Sequence, residues 1–376
     1  MYKKNKILFI SHVLDYSGAP RSLYYLLKYF PQKNRYEFWV LGLRNSALLQ
    51  SFKRVADKVE VITPYPSQAL FRKALERISS LPKIYNFLKK ARPQLVIINS
   101  AANSRAIILS RILGYRTWVY VHEFDAGFVL FPKLRRKAIL LADKIIVTNR
   151  LQQKWIQEDI GYQGSVKIIP NMLPPLSKKN LSVERDFEIF TRKHTFLVAT
   201  VGYFTRLKGW DLLLDIMELL KDKLDIGFVL VGDFPRKEER RKFKKELVKR
   251  DLSERVYITG LVSDIWPYIE RVQCIAITSR SETFSRAAME AMAYGIPVVA
   301  FNVGSLSEVF PTDYPYLIAP FNKDLFAKKL IEIKNLRPNQ KKEIQQVFEQ
   351  HIKKFSPEQI VPLFVGEIEK FFAKFS

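Results

Sequence analysis

Three stretches of this 376-residue chain carry side chains whose types and spacing could do chemistry. The densest runs Ser279-Arg280-Ser281-Glu282-Thr283-Phe284-Ser285-Arg286 and continues through Glu290 to Gly295. It follows an apolar run, Cys274–Thr278, that reads as a strand; a helix then starts near Ser285 and stops at Gly295. Thr283, Phe284, Ser285 and Arg286 become a helix N-terminus, whose free N–H groups and positive dipole end suit a diphosphate. Glu282 stands at the mouth of that loop and Glu290 about two turns further on. Carboxylates at two depths suit two sugar rings, since each can accept from a pair of neighbouring hydroxyls. A solvated acidic pair is the blander reading, and the apolar Ala287, Ala288, Met289, Ala291 and Met292 read as core packing. The second stretch, Thr200–Gly209, places Gly202, Arg206 and Lys208 just past another strand, although two loop cations alone would ordinarily be surface charge. In the third, Tyr120-Val121-His122-Glu123-Phe124-Asp125, a histidine ends a strand; a lone histidine is more often structural than catalytic.

The elements that must position these residues are written in two series. Lys6–Ser11, Glu37–Leu43, Val59–Thr63, Leu95–Asn99, Thr117–His122 and Lys144–Thr148 are short, mostly continuous apolar runs, each followed by a helical pattern. Such runs suit parallel strands covered on both faces. A second series follows: Thr195–Val201, Gly227–Gly232, Arg255–Gly260, Cys274–Thr278 and Pro297–Phe301. The expectation is an α/β chain of two Rossmann-like domains, 1–175 and 176–355, joined through the proline-dense Pro170–Ser177. Parallel sheets bind ligands beyond the carboxyl ends of their strands, so two sheets facing each other would leave a cleft. An amphipathic pattern in 356–376 (Ile360, Leu363, Phe364, Ile368, Phe371, Phe372) predicts a final helix packing back across the lobes, with Pro362 tolerable only in its first turn.

With these residues in view, the segment from Glu282 through Glu290 to Glu290-Ala291-Met292-Ala293-Tyr294-Gly295-Ile296-Pro297-Val298-Val299-Ala300 resembles the Glu-x7-Glu signature of the retaining GT-B glycosyltransferases of glycosyltransferase family 4. The resemblance implies that Glu282 lies against the transferred sugar and Glu290 binds the nucleotide ribose. It implies that Lys208, with Arg206 as the candidate guanidinium, grips the donor diphosphate and neutralises it as it leaves. It places His122 at the transferred sugar, with Asp125 a weaker neighbour on the acceptor side. Gly18, in His12–Arg21, resembles the family's glycine-rich loop, although Ser17 replaces one glycine. Gly260, Leu261 and Val262 match the loop whose backbone meets the base. Tyr203 and Phe204 make the Gly202 loop bulkier than the family's, and Met172 stands where a glycine is usual. The matches run from residue 7 to about 320.

Composition bounds the rest. Apolar residues make up 48% and charged residues 26%, as in a globular protein with a real core. Lysine and arginine number 62 against 37 acids, a net charge of +25 that any polyanion would feel. No nucleic-acid module accompanies the charge, so nucleic acid is not an expected partner. Ala69–Arg77, Ile84–Lys90 and Phe128–Lys137 interleave apolar and basic residues, which suits an anionic membrane surface and a lipid-linked saccharide acceptor. The competing reading gives those apolar faces to the core. Arg236–Lys242 looks like an ordinary solvated helix. Cys274, the single cysteine, reads as a buried thiol in a reducing compartment. Ile7–Ile10 is too short for a signal sequence and no run is long enough for a membrane span, so a cytoplasmic, peripheral protein is expected. No metal-ligand spacing appears, and neither metal nor cofactor is expected. The reading is a retaining, metal-independent hexosyltransferase using a UDP-sugar or GDP-mannose in bacterial surface-polysaccharide assembly. The alternatives are a non-catalytic saccharide or nucleotide binder and a GT-B epimerase or phosphorylase.

Overall fold

The structure is a computed structural model, describing residues 4–44, 47–63, 70–124, 132–176, 182–262 and 264–374. The chain divides into two compact units, 1–174 with 355–376, and 175–354. The first holds a seven-stranded sheet, ordered β3-β2-β1-β4-β5-β6-β7. Its strands are β1 (Asn5–Ser11), β2 (Tyr36–Arg44), β3 (Lys58–Thr63), β4 (Leu95–Asn99), β5 (Thr117–Tyr120), β6 (Lys144–Val147) and β7 (Ser165–Ile168). The second holds β8 (Phe196–Val201), β9 (Ile226–Val231), β10 (Val256–Gly260), β11 (Cys274–Ile277), β12 (Val298–Phe301) and β13 (Leu317–Ile318), ordered β10-β9-β8-β11-β12-β13. Every strand pair is parallel. Each sheet grows outward from one central strand pair, β1/β4 in the first and β8/β11 in the second, where the winding reverses. Open α/β sheets bind ligands at the carboxyl end of that pair.

The continuously apolar strands are buried on both faces. Ile7, Leu8, Phe9 and Ile10 of β1 are fully buried, as are Val298, Val299, Ala300 and Phe301 of β12. Edge strands β7 and β13 lie outside the sequence expectation; both stand at the ends of their sheets. Ile84, Phe87 and Leu88 are core residues, so the apolar face of Ile84–Lys90 goes to packing. The side chains of Ala69–Arg77 lie outside the described residues. In Arg236–Lys242 the helix Lys237–Lys249 buries only Phe243 and Leu247 and leaves its charges to solvent.

The last helix, Pro357–Phe372, packs into the first unit's core. It corrects one expectation: Pro362 lies inside the helix, beyond its first turn. An interior proline costs about 3 kcal/mol. Ile360, Val361, Phe364, Ile368 and Phe372 are all buried beside Tyr36, Trp118 and Tyr120. At roughly 1.5–3 kcal/mol per buried large apolar side chain, they outweigh that cost. Among the described residues no helix is long and apolar enough to cross a membrane.

Candidate active site

In the second unit the site is built where β8 and β11 end. The chain leaves β8 through Gly202 and turns through a short 3-10 helix, Arg206–Lys208. Thr205 caps that turn by accepting from the Lys208 N–H. Gly209 follows with φ +70°, and a Cβ there would stand 1.9 Å from the Thr278 carbonyl oxygen. Only a glycine permits this approach, and it presses the Lys208 turn against the end of β11. Thr278 Oγ1 completes the seam by donating to the Lys208 and Gly209 carbonyls, at 3.2 and 3.1 Å.

The result is that Lys208 Nζ sits 2.6 Å from Glu282 Oε1. Ser279 Oγ donates to the same oxygen at 2.6 Å. The Glu282 side chain is buried, whereas that of Lys208 keeps 40% of its exposure. Both residues line a small recess with Tyr203, Ser279 and Ser285. The lysine is therefore the partner with freedom to turn toward an incoming anion. Arg206 does not line that recess. Its side chain is 75% exposed and lies 3.8 Å from Asp211.

The loop carrying Glu282 is braced from two sides. Arg280 forks onto Asp211 at 2.7 and 2.8 Å, and its backbone N–H donates to the Leu207 carbonyl. From the other side Ser305 N–H donates to the Glu282 carbonyl at 3.0 Å and Ser305 Oγ to that of Thr283. Gly304, at φ +57°, lies so close that a Cβ would stand 1.9 Å from the Glu282 carbonyl oxygen. Ser285 then caps the helix Arg286–Ala293. Ala288, Met289, Ala291 and Met292 are fully buried, as packing requires, but Ala287 is only half-buried and lines the recess; Thr283 and Phe284 are half-buried too. Glu290 is buried in the same helix, 3.2 Å from Arg286 Nη2. Gly260 ends β10 with φ +73°; Val262 is half-buried and Leu261 projects into solvent.

In the first unit His122 follows β5, its Nε2 2.9 Å from Asn99 Oδ1. Asn99 Nδ2 donates to the Ala19 carbonyl, so its Oδ1 is the acceptor and His122 Nε2 carries the proton. That leaves Nδ1 as a lone pair, sealed from solvent and without a hydrogen-bond partner. Burial, with the nearby His12, lowers the imidazole pKa to about 3, so the ring is neutral at physiological pH. Neighbouring Ser100 is held at φ +100° and donates to Glu123, a strained conformation for a serine. Gly18 opens the helix Gly18–Tyr29, and a Cβ there would meet nothing within 4 Å. Asp125 lies outside the described residues.

Asp211, Gly304, Ser305, Asn99 and Ser100 belong to these sites without being among the residues the sequence singles out, and Ser279 and Arg280 lie in the singled-out stretch without a role assigned to them there. Gly304 has a legible signal, a glycine in the short loop after β12.

Two parallel sheets of this winding, each with polar groups gathered at its reversal point, define a two-domain GT-B architecture. Residues 16–175 match the family described as Glycosyltransferase Family 4, and residues 183–350 the one described as Glycosyl transferases group 1. The chain belongs to these glycosyltransferases. It is 24% identical over 345 residues to the amylovoran biosynthesis glycosyltransferase AmsD of Erwinia amylovora, covering 89% of this chain and 92% of that one. It is 26% identical over 218 residues to the lipopolysaccharide core biosynthesis glycosyltransferase LpsD of Rhizobium meliloti, covering 52% of this chain and 61% of that one. Among solved structures, Anabaena HepE in complex with UDP and glucose superposes with a TM-score of 0.78 at 20% identity, covering 97% of this chain and 99% of that one.

Proposed function

We propose that this glycosyltransferase moves a hexose, with retention of anomeric configuration and without a metal ion, from a nucleotide diphosphate sugar to a lipid-linked saccharide in bacterial surface-polysaccharide assembly. The observation that carries the reading is the Lys208–Glu282 pair at 2.6 Å beside the capped helix start at Ser285. On this reading Lys208 swings from Glu282 to the diphosphate, and Glu282, released, accepts from hydroxyls of the transferred sugar. As the anomeric C–O bond breaks, negative charge gathers on the departing diphosphate. Lys208, Arg206 and the backbone N–H groups at Thr283–Arg286 would offset it, electrostatic stabilisation that costs no reorganisation at the moment of reaction. The acceptor hydroxyl enters on the face the diphosphate leaves and gives it the proton. Glu290 takes the ribose, and Gly260–Val262 the base. His122, neutral and with an unfilled Nδ1, is suited to accept a hydrogen bond from a sugar hydroxyl.

A UDP-sugar is the favoured donor, in keeping with the UDP and glucose held by HepE. The AmsD and LpsD likenesses support surface-polysaccharide assembly. Action at a membrane surface is supported by Leu134, Leu140 and Leu141, all exposed beside Lys133, Arg136 and Lys137. The test is thermal protection and donor hydrolysis across a panel of UDP- and GDP-hexoses. One donor should protect the wild type, and Glu282→Ala should slow its hydrolysis by about 10²–10³. Indifference to every donor would sink the reading, and protection without turnover would favour a non-catalytic binder.

A further inference from the structure

Two successive residues at the end of β4 reach two successive residues just past the end of β5. Asn99 pairs with Tyr120 in the parallel register, and side chains two apart share a face, so the Asn99 amide meets the ring of His122. Asn99 Oδ1 accepts from His122 Nε2–H at 2.9 Å. Ser100 Oγ donates to the Glu123 carboxylate, and the Ser100 N–H donates to the Tyr120 carbonyl at 2.8 Å. The second Glu123 oxygen accepts from the His122 backbone N–H at 3.1 Å. Both the ring and the backbone of His122 are thus tied to β4.

The Asn99 amide has a single workable orientation. Its Nδ2 stands 3.0 Å from the Ala19 carbonyl, which can only accept, so the opposite flip would set two acceptors against each other. Asn103 Nδ2 holds the Asn99 carbonyl at 3.2 Å, and both amides are buried. Ala19 lies in the first turn of the helix Gly18–Tyr29, so one side chain spans from that helix start to the histidine. A carboxylate in this place would stabilise an imidazolium; the amide accepts from Nε2–H without adding charge. Among the described residues the titratable groups about the ring are His12, which lowers its pKa, Glu123, turned to Ser100 and the backbone, and Tyr120, whose hydroxyl donates to the Ile169 carbonyl. His122 Nδ1 is left as a buried lone pair with no partner, an unmet acceptor that a hydroxyl would satisfy.

We propose that Asn99 is a positioning residue for the transfer: by holding the His122 ring through Nε2–H, it keeps Nδ1 as an acceptor reserved for a hydroxyl of the transferred sugar. The inference rests on the glycosyl-transfer reading, which puts a sugar at His122, and adds to it the group that sets the ring's tautomer and charge.

The experiment labels histidine isotopically in the full chain and reads the imidazole nitrogens by long-range proton–nitrogen correlation, the His122 signals being those lost in His122→Gln. In the wild type they should show Nε2 protonated and Nδ1 bare, with no titration between about pH 5 and 8. Saturation with UDP-glucose should shift the Nδ1 signal and leave Nε2 in place, whereas UDP, which lacks the sugar, should not. Asn99→Asp puts a negative charge against Nε2 and favours the charged ring, so His122 should titrate within that window. Hydrolysis of UDP-glucose by this variant should fall about ten-fold or more below wild type near pH 6 and recover toward it near about pH 8, as the ring sheds its second proton; a merely loosened fold would not regain rate with pH. Asn99→Ala offers no acceptor and no charge, and serves should the first variant fold poorly: its His122 should exchange between both tautomers. A wild-type ring protonated at Nδ1, an Nδ1 signal unmoved by UDP-glucose in protein that UDP-glucose protects from heat, or a pH profile unchanged in Asn99→Asp would each overturn the proposal. Failure of UDP-glucose to bind at all would count against the donor reading, and the tautomer and titration of His122 would still decide the role of Asn99.

Discussion

The reversal points of the two sheets are wound alike and charged differently. In the second unit each cation near the β8/β11 ends faces an acid: Lys208 on Glu282, Arg286 on Glu290, Arg280 on Asp211. In the first unit the end of β5 carries a neutral His122 whose partner is the amide of Asn99 at the end of β4. A site of opposite charges holds its groups in position while empty and must exchange partners when a charged ligand arrives. A site of neutral hydrogen-bonding groups holds its geometry without any exchange of charge. The β8/β11 end is thus a site of exchangeable ion pairs, and the β4/β5 end one of neutral hydrogen bonds.

The same contrast runs through the backbone, and glycines probe it most strongly. Gly304 supports the Glu282 carbonyl from φ +57°, with no room for a Cβ. Gly304→Ala should cost about 3 kcal/mol or more in urea unfolding, from left-handed strain plus a backbone clash. Gly18→Ala meets open space. It should leave stability unchanged or raise it by up to about 1 kcal/mol, by restricting the unfolded chain. If Gly18→Ala nevertheless weakened donor protection, a ligand passes close to that backbone as the family resemblance implies. If the two alanines proved equally costly, the contrast between the locked Gly304 loop and the open Gly18 helix start would be wrong.

This pair also marks where the sequence is legible. Alternating apolar runs and helical patterns point to two parallel sheets because buried strands need unbroken apolar faces, and the Glu282–Gly295 segment announces its own helix start and stop. Strands β7 and β13 escape notice for a physical reason. Ser165–Ile168 mixes polar and apolar residues as an edge strand can, and Leu317–Ile318 is only two residues long. The braces of the site escape for another: Arg280 meets Asp211 across 69 residues of sequence, a contact no local pattern encodes. Pro362 misleads because tertiary burial, invisible in one helix, overrides the local rule.

A smaller effect separates the neutral histidine from the paired carboxylates. The folded pKa of His122, lowered to about 3, lies below the ordinary 6.5 of the unfolded chain. Between those values the unfolded state binds the extra proton, so stability falls as pH drops from 6.5 toward 3. From pH 7 to pH 5 one such ring accounts for about 1–2 kcal/mol, discounted for its partial exposure. His122→Gln should flatten the pH dependence of unfolding over that window by this amount. An unchanged slope would mean that the ring protonates freely in the folded protein.

The mildest consequence is expected at Glu367, where the final helix meets β6. Its carboxylate takes Lys144 at 2.6 Å, with side-chain exposures of 10% and 18%, and Lys370 at 3.3 Å. Burial would raise the Glu367 pKa, but the hydrogen bond and charge of Lys144, aided by Lys370, outweigh it and hold the carboxyl below the ordinary range. The sign is opposite in cause to His122 and equal in direction: stability is present above the unfolded glutamate pKa and is lost as pH falls through the folded one. Glu367→Gln should therefore cost about 1 kcal/mol at pH 7 and progressively less below pH 4. The aromatic and aliphatic contacts of Phe364, Ile368 and Phe372 should keep the helix docked in that variant. If Glu367→Gln instead released the helix, measured as rapid amide exchange across Pro357–Phe372, the ion pair and not apolar burial would be what holds the chain's last segment to the first unit.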